Sequence, residues 1–120
     1  MRKDLPAGIC AIFGGEENAK SIVRVGAGWD HLVFDSARIL QRVSPARSIF
    51  KVLFSKGGML LVLKEKGKYG PLDLPSYLLR HSMLIASTST CEACGAPGRV
   101  LPYFFQAVRC SAHEKNFVER

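Results

Sequence analysis

The chain has 120 residues, of which 48% are hydrophobic and 22% are charged, and its formal net charge is +7. This length fits one domain, or one domain with a small metal-bound lobe. The apolar runs are much shorter than the roughly 20 residues that span a bilayer, and Pro6, Gly8 and Gly14 interrupt the first of them, so we expect neither a membrane span nor a secretory signal. The positive charge indicates either acidic partners or a lysine-rich solvated surface.

The first 25 residues permit two interpretations. Residues 9–13 are apolar and permit a strand, followed by a turn at the glycine pair 14–15, while helix and disorder stay open over the first 20 residues. Residues 16–20 then begin a short helix or lead directly into a strand at 21–25. We favour the strand at 21–25, because it is β-branched and glycines close it.

A helix is predicted over residues 29–43, because apolar and small residues recur on one helical face: Trp29, Leu32, Val33, Ser36, Ala37 and Leu40. Asp30 in its first turn and Arg42 near its end both suit the helix dipole. Pro45 limits the helix, since the residue before a proline avoids helical geometry. Phe34 and Ile39 lie off this face and indicate a second contact surface, for another element or for a partner.

A β-hairpin is predicted over residues 48–65, with strands at 48–55 and 59–65 around Gly57 and Gly58. Strict alternation would place Phe50, Val52 and Phe54 on one face of the first strand and Ile49 and Leu53 on the other. Five lysines surround the hairpin, and they either contact an anion or protect the strand edges from aggregation: Lys51, Lys56, Lys64, Lys66 and Lys68.

A second helix is predicted over residues 74–87, with Asp73 as its N-cap and Pro75 in its first turn. One side of it carries the apolar residues Leu74, Tyr77, Leu78, Leu84 and Ile85. His81 lies on the same side, and we expect it to pack against the core. The predicted fold class is α+β, a small antiparallel sheet packed with two helices plus a C-terminal zinc-ribbon-like lobe. The predicted division is a core at 1–90 and the lobe at 91–120.

Four metal-binding side chains form two pairs of matching spacing. Cys91 and Cys94 are separated by two residues, as are Cys110 and His113. Two pairs of this kind are typical of a tetrahedral zinc site. Unrelated cysteines, or a redox pair at Cys91 and Cys94, are the alternatives. A redox dithiol does not require the second pair, so the pattern favours Zn²⁺ held by all four residues.

Four protein ligands leave no coordination position for water, so the predicted site is structural rather than catalytic. The other reactive side chains are weak candidates for chemistry. Cys10 lies in an apolar run and is interpreted as core filling, while His31 and Asp35 are expected on a solvated helix face. We therefore predict a protein that is not an enzyme, with reduced thiols in the cytoplasm.

The layout from Val25 to His113 resembles a family of small bacteriophage and mobile-element proteins. The shared features are a Gly-x-Gly-Trp entry to a helix at Gly26–Trp29, a Gly-Gly hairpin at 57–58, and a Thr-Cys-Glu-x-Cys-Gly-x-Pro-Gly knuckle at 90–98 closed by Cys-x-x-His. The resemblance implies bound zinc and a bacterial host. Small phage proteins of this kind usually act by binding a protein complex of the host. The resemblance therefore suggests an interaction protein, with inhibition of a host defence complex, as by anti-CRISPR proteins, as the candidate function.

The alternative is a basic nucleic-acid-binding zinc-ribbon module that acts in transcription or replication. Its signature would be lysines and aromatic residues interleaved on one face. The sequence offers two stretches of this kind, Lys64 to Tyr69 and Arg99 to Arg109. The expected partners are accordingly a host protein or ribonucleoprotein complex, with possible nucleic-acid contact through the hairpin lysines.

Overall fold

The computed structural model describes residues 5–55, 57–65, 73–101 and 107–113. Its elements in chain order are α1 (Ala7–Ile12), α2 (Glu16–Ile22), a 3-10 turn (Ala27–Trp29), α3 (Asp30–Val43), β1 (Arg47–Ser55), β2 (Gly58–Glu65), α4 (Leu74–Ser87), β3 (Arg99–Val100) and β4 (Val108–Arg109). Strands β1 and β2 form one antiparallel pair and β3 and β4 another. The α+β fold class is confirmed, with the cysteine and histidine cluster in the C-terminal region.

The core lies between the β1–β2 hairpin and the helices. Helix α3 packs on β1, α4 packs on β2 and on α3, and α1 and α2 cover the remaining side. Trp29 is fully buried and its ring stacks on Phe54, with ring centroids 5.9 Å apart. No helix in the described ranges combines the length and the apolar character that crossing a bilayer requires.

Before residue 26 the structure contains two helices, which agrees with the alternative of a helix beginning at residue 16, and the strand favoured at 21–25 is wrong. Residues 9–13 lie in α1 and its C-cap, and α2 continues to Ile22. Helix α2 is favoured by Glu16 and Glu17 in its first turn, and Glu16 also pairs with Lys20 at 2.8 Å. Only a single parallel bridge, between Val23 and Val52, remains of the predicted strand at 21–25.

The glycine turn, the first long helix and the hairpin are confirmed. Gly14 and Gly15 have φ of 81° and 123°, and α3 ends at Val43 as predicted. The predicted alternation along β1 is wrong, because Ile49 pairs with Leu63 and Lys51 with Val62, which leaves Phe50 as the extra residue of a β-bulge. The bulge turns Ile49 and Val52 to the same buried side.

The extent of α4 is confirmed, but its predicted core face is wrong. Ser76, Leu79 and Ser87 are the buried residues. Leu74, Tyr77, Leu78 and Ile85 of the predicted side are exposed, and Leu84 is half-buried. His81 stacks on Tyr77 at the surface, with ring centroids 6.3 Å apart, instead of packing in the core. The orientation follows from two buried hydroxyls: Ser76 donates to Ser44 at 3.0 Å, and Ser87 accepts the backbone N–H of Met59 at 2.6 Å.

Asp73 occupies the predicted N-cap position, but its side chain makes no capping hydrogen bond. Its carboxylate instead accepts from Ser44 Oγ at 2.6 Å and from Arg47 Nε at 2.8 Å. Hydrogen bonds from Ser44 and Ser76 outweigh partial desolvation and, with a smaller contribution from Arg47, lower the pKa of Asp73 from 3.8 to about 2. Asp73 therefore joins the end of α3, the start of β1 and the start of α4.

Candidate metal centre

The four predicted ligands converge at the C-terminal end of the fold. Sγ of Cys91, Cys94 and Cys110 and a ring nitrogen of His113 all lie within 4.8 Å of one another, which is close enough to hold one metal ion. Cys94 and Cys110 have their sulfurs 3.6 Å apart, and the three cysteines are free thiols rather than disulfides. The pattern of two pairs therefore predicted the residues that the fold brings together.

The first pair lies on a tight turn. The backbone N–H of Cys91 donates to the carbonyl of Ala96 at 2.7 Å, and Gly95 donates to the carbonyl of Cys91 at 2.8 Å. Gly95 has φ of 83°, a left-handed conformation that glycine adopts at no steric cost. This turn holds Cys91 buried while Cys94 remains exposed.

The second pair is brought to the first by the short β3–β4 sheet. Arg99 pairs with Arg109 in that sheet, directly before Cys110. Glu92 donates its backbone N–H to the carbonyl of Val108 at 2.9 Å, which joins the first turn to β4. A further turn, closed by the His113 N–H donating to the Cys110 carbonyl at 3.0 Å, directs both side chains to the same point.

Backbone amides favour the ionised form of one cysteine, the form that binds metals. Burial opposes ionisation of Cys91, but N–H groups of Cys110, Cys94 and Ala93 outweigh it and lower the pKa of the Cys91 thiol to about 6. For Cys94 the N–H of Ala96 favours the thiolate, but desolvation and the neighbouring sulfurs outweigh that effect and raise the pKa. One thiolate thus forms readily, while a second negative charge beside it is disfavoured without a cation.

The Gly-x-Gly-Trp segment packs directly against this turn. Gly28 donates its N–H to the Glu92 carbonyl at 2.7 Å, and Gly26 donates to the Glu92 carboxylate at 3.1 Å. A Cβ on Gly28 would overlap the carbonyl oxygen of Cys91. The backbone of the core therefore approaches the ligand turn as closely as only glycine permits.

Sequence reasoning missed the role of Glu92. Its side chain is 5% exposed and its carboxylate accepts from Gly26, so it links the ligand turn to the core. The signal available was its place between the two cysteines of the knuckle, together with the spacing of Gly26 and Gly28. His31 lies close to this contact, with its ring 3.7 Å from the position of a Cβ on Gly95, yet it is exposed, as is Asp35.

Comparison with protein-family models, with curated proteins and with solved structures finds no match to this chain. The resemblance to phage and mobile-element proteins therefore stays a prediction. The division of the chain at residue 90 stays one as well, and the hydrogen bonds of Gly26 and Gly28 to Glu92 cross it.

Proposed function

We propose that Cys91, Cys94, Cys110 and His113 bind one structural zinc ion. In a tetrahedral site with Zn–S bonds of about 2.3 Å, neighbouring sulfurs lie about 3.8 Å apart, and a histidine nitrogen lies slightly closer. Cys94 and Cys110 have their sulfurs 3.6 Å apart, and His113 Nδ1 lies 3.7 Å from the sulfur of Cys91 and 3.1 Å from that of Cys110. These three separations are close to those of a tetrahedral zinc site, in a cluster whose donor atoms all lie within 4.8 Å of one another, and they support the proposal.

We further propose that the chain is a non-enzymatic interaction protein of phage or mobile-element type, which inhibits a bacterial host defence complex in the manner of anti-CRISPR proteins. The observation that carries this proposal is the complete ligand set, because four protein ligands leave the metal no position for a substrate or water. The zinc then holds binding surfaces in place instead of catalysing a reaction. A net charge of +7 suits an acidic protein face or a ribonucleoprotein.

The test is affinity capture of the tagged chain from its bacterial host, with nuclease treatment before elution and mass-spectrometric identification of what remains. A defence complex that stays bound after nuclease treatment supports the proposal. Cys110→Ser should no longer capture that complex, because a site without Cys110 no longer holds the C-terminal lobe in place. Recovery of nucleic acid alone, with no protein after nuclease, contradicts it. Inhibition of that complex by the purified chain in a reconstituted assay completes the test.

A second candidate function is nucleic-acid binding by the hairpin, and one arrangement favours it. The Phe50 ring, on the β-bulge, has the amines of Lys51 and Lys64 at 5.5 and 4.9 Å from its centre. An aromatic face between two cations suits a stacked base and its phosphates. Lys51 also donates to the Ser21 carbonyl at 2.7 Å, which gives it a structural role. The predicted contact lysines Lys56, Lys66 and Lys68 lie outside the described residues.

A salt titration separates the two functions. Binding of single-stranded DNA or RNA that weakens steeply with salt, and weakens further in Phe50→Ala, favours the nucleic-acid module. Absence of binding at low salt removes it and leaves the host-protein proposal untouched.

A further inference from the structure

Helix α4 presents an apolar side to solvent. Leu74, Tyr77, Leu78 and Ile85, here called the α4 outer face, are between 49% and 68% exposed. Tyr77, Leu78 and Ile85 follow Leu74 by three, four and eleven residues, which places all four along one side of the helix. A row of large apolar side chains of this kind marks a binding surface more often than isolated surface residues do.

The opposite side of α4 packs in the core. Ser76, Leu79 and Ser87 are buried there, and Met83 and Ala86 pack against the core cluster. The helix thus has apolar residues on both sides, whereas a surface helix typically has one apolar face. The outer face is therefore a candidate binding surface.

The charged side chain that α4 carries is a cation. Helix α4 contains no acidic residue, and the Arg80 guanidinium lies 5.8 Å from the centre of the Tyr77 ring. A second copy of this chain would bring Arg80 of each copy, and a net charge of +7 on each chain, against one another. A partner with acidic residues beside its apolar ones would complement them.

We propose that the α4 outer face binds an acidic amphipathic helix of another protein. The straight row of apolar side chains fits the apolar face of a partner helix laid along α4. Arg80 then meets acidic residues at the rim of the contact. The inference rests on the proposal that the chain acts by binding a protein, and it names the surface used.

The experiment uses two labelled helical peptides of about 25 residues, well above the length of about 12–15 residues below which isolated helices are marginal in water. They share their leucine positions and differ only in carrying glutamate or lysine at the polar positions. Fluorescence anisotropy against the zinc-loaded full chain should show about tenfold or greater preference for the glutamate peptide. Leu78→Gln should weaken that binding about tenfold, the loss typical of a central contact residue. Ala11→Gln, an exposed change on α1, is the control and should leave binding unchanged.

Three results would overturn the inference. They are equal affinity for both peptides, no binding of either peptide, and equal binding of the glutamate peptide by Leu78→Gln and the wild type. Sedimentation that shows a dimer dissolved by Leu78→Gln would also overturn it, because a second copy would then cover the face. Leu78→Gln in the host capture assay keeps the two proposals apart. A host protein held equally by variant and wild type refutes the α4 surface alone, whereas no captured protein refutes the interaction function.

Discussion

Trp29 donates its indole N–H to the carbonyl of Thr90 at 2.7 Å, across 61 residues of sequence. Thr90 directly precedes Cys91, the first residue of the candidate metal site. Trp29 itself is fully buried and stacked on Phe54 of the hairpin. The hydrogen bond therefore joins the turn that carries Cys91 and Cys94 to the centre of the hydrophobic core, and we expect a change at the candidate site to alter the surroundings of the indole.

Removal of the metal should alter the fluorescence of Trp29, the chain's single tryptophan. Without the ion, repulsion and loss of coordination open the turn after Thr90, and water reaches the indole. We expect a red shift of the emission maximum on chelation, reversed by stoichiometric zinc, together with new protease cleavage near residues 91–98. Cys94→Ser should show the shifted spectrum before any chelator is added. Unchanged emission after complete zinc removal would refute the coupling.

Gly28→Ala should destabilise the chain and weaken its zinc binding. The added methyl group would overlap the Cys91 carbonyl oxygen and lie 2.7 Å from the backbone nitrogen of Cys94. Backbone atoms cannot shift as a side chain can, so we expect a loss of about 1–3 kcal/mol in the free energy of unfolding, as for other overpacked sites. Urea denaturation and competitive zinc titration measure the two effects.

Gly8→Ala is the matched control for Gly28→Ala. Its new methyl group would meet only the ring of Phe34, at 3.3 Å, and that side chain can move slightly. Since Gly8 lies in α1, alanine also favours the helix there. The control should change stability little and leave zinc binding unaffected. A Gly28→Ala chain that behaves like the control would show that the close approach of the two backbones is dispensable.

Ser87→Ala should cost about 1–3 kcal/mol of stability, the range for leaving a buried backbone donor without its partner. The Ser87 hydroxyl accepts from the N–H of Met59 at 2.6 Å and donates to the Leu84 carbonyl at 2.7 Å. Met59 is fully buried, so water does not replace the lost acceptor. Thermal unfolding followed by circular dichroism measures the effect. Ser82→Ala, exposed on the same helix, should be nearly neutral, and equal losses in the two variants would contradict the assignment.

The sequence predicted those parts of the fold that local patterns govern. The periodic face of α3 matches its buried residues Leu32, Val33, Ser36 and Leu40. The Gly57 turn has the positive φ, 83°, that such a hairpin requires. The convergence of Cys91, Cys94, Cys110 and His113 was predictable because two pairs of this spacing are typical of one shared ligand site.

The parts that sequence reasoning missed depend on distant hydrogen bonds. In α4 the leucines offered two apolar sides, and the hydroxyls of Ser76 and Ser87 decided between them by bonding to Ser44 and Met59. Hydropathy ranks a serine as a surface residue, so no pattern could reveal that choice. The bulge at Phe50 and the bond from Trp29 to Thr90 are likewise absent from any local window.

Asp73→Asn should reduce stability at neutral pH by an amount that disappears in acid. Ser44 and Ser76, and to a lesser degree Arg47, favour the ionised carboxylate, and the pKa of Asp73 falls from 3.8 to about 2. A carboxyl whose pKa is lowered by folding stabilises the native state above its unfolded pKa, and that contribution is lost as the pH falls towards the folded value. The difference between wild type and variant should therefore be constant above about pH 5 and shrink between about pH 4 and pH 2.

Urea midpoints measured by circular dichroism across this pH range test the Asp73 prediction. Loss of metal in acid affects both proteins alike, since the ligands are unchanged, so the difference between them isolates Asp73. Ser44→Ala should reproduce part of the effect, because Ser44 provides the largest single contribution to the lowered pKa. A difference between wild type and Asp73→Asn that stays constant from pH 5 to pH 2 would mean that the carboxylate does not join α3, β1 and α4 as an ionised group.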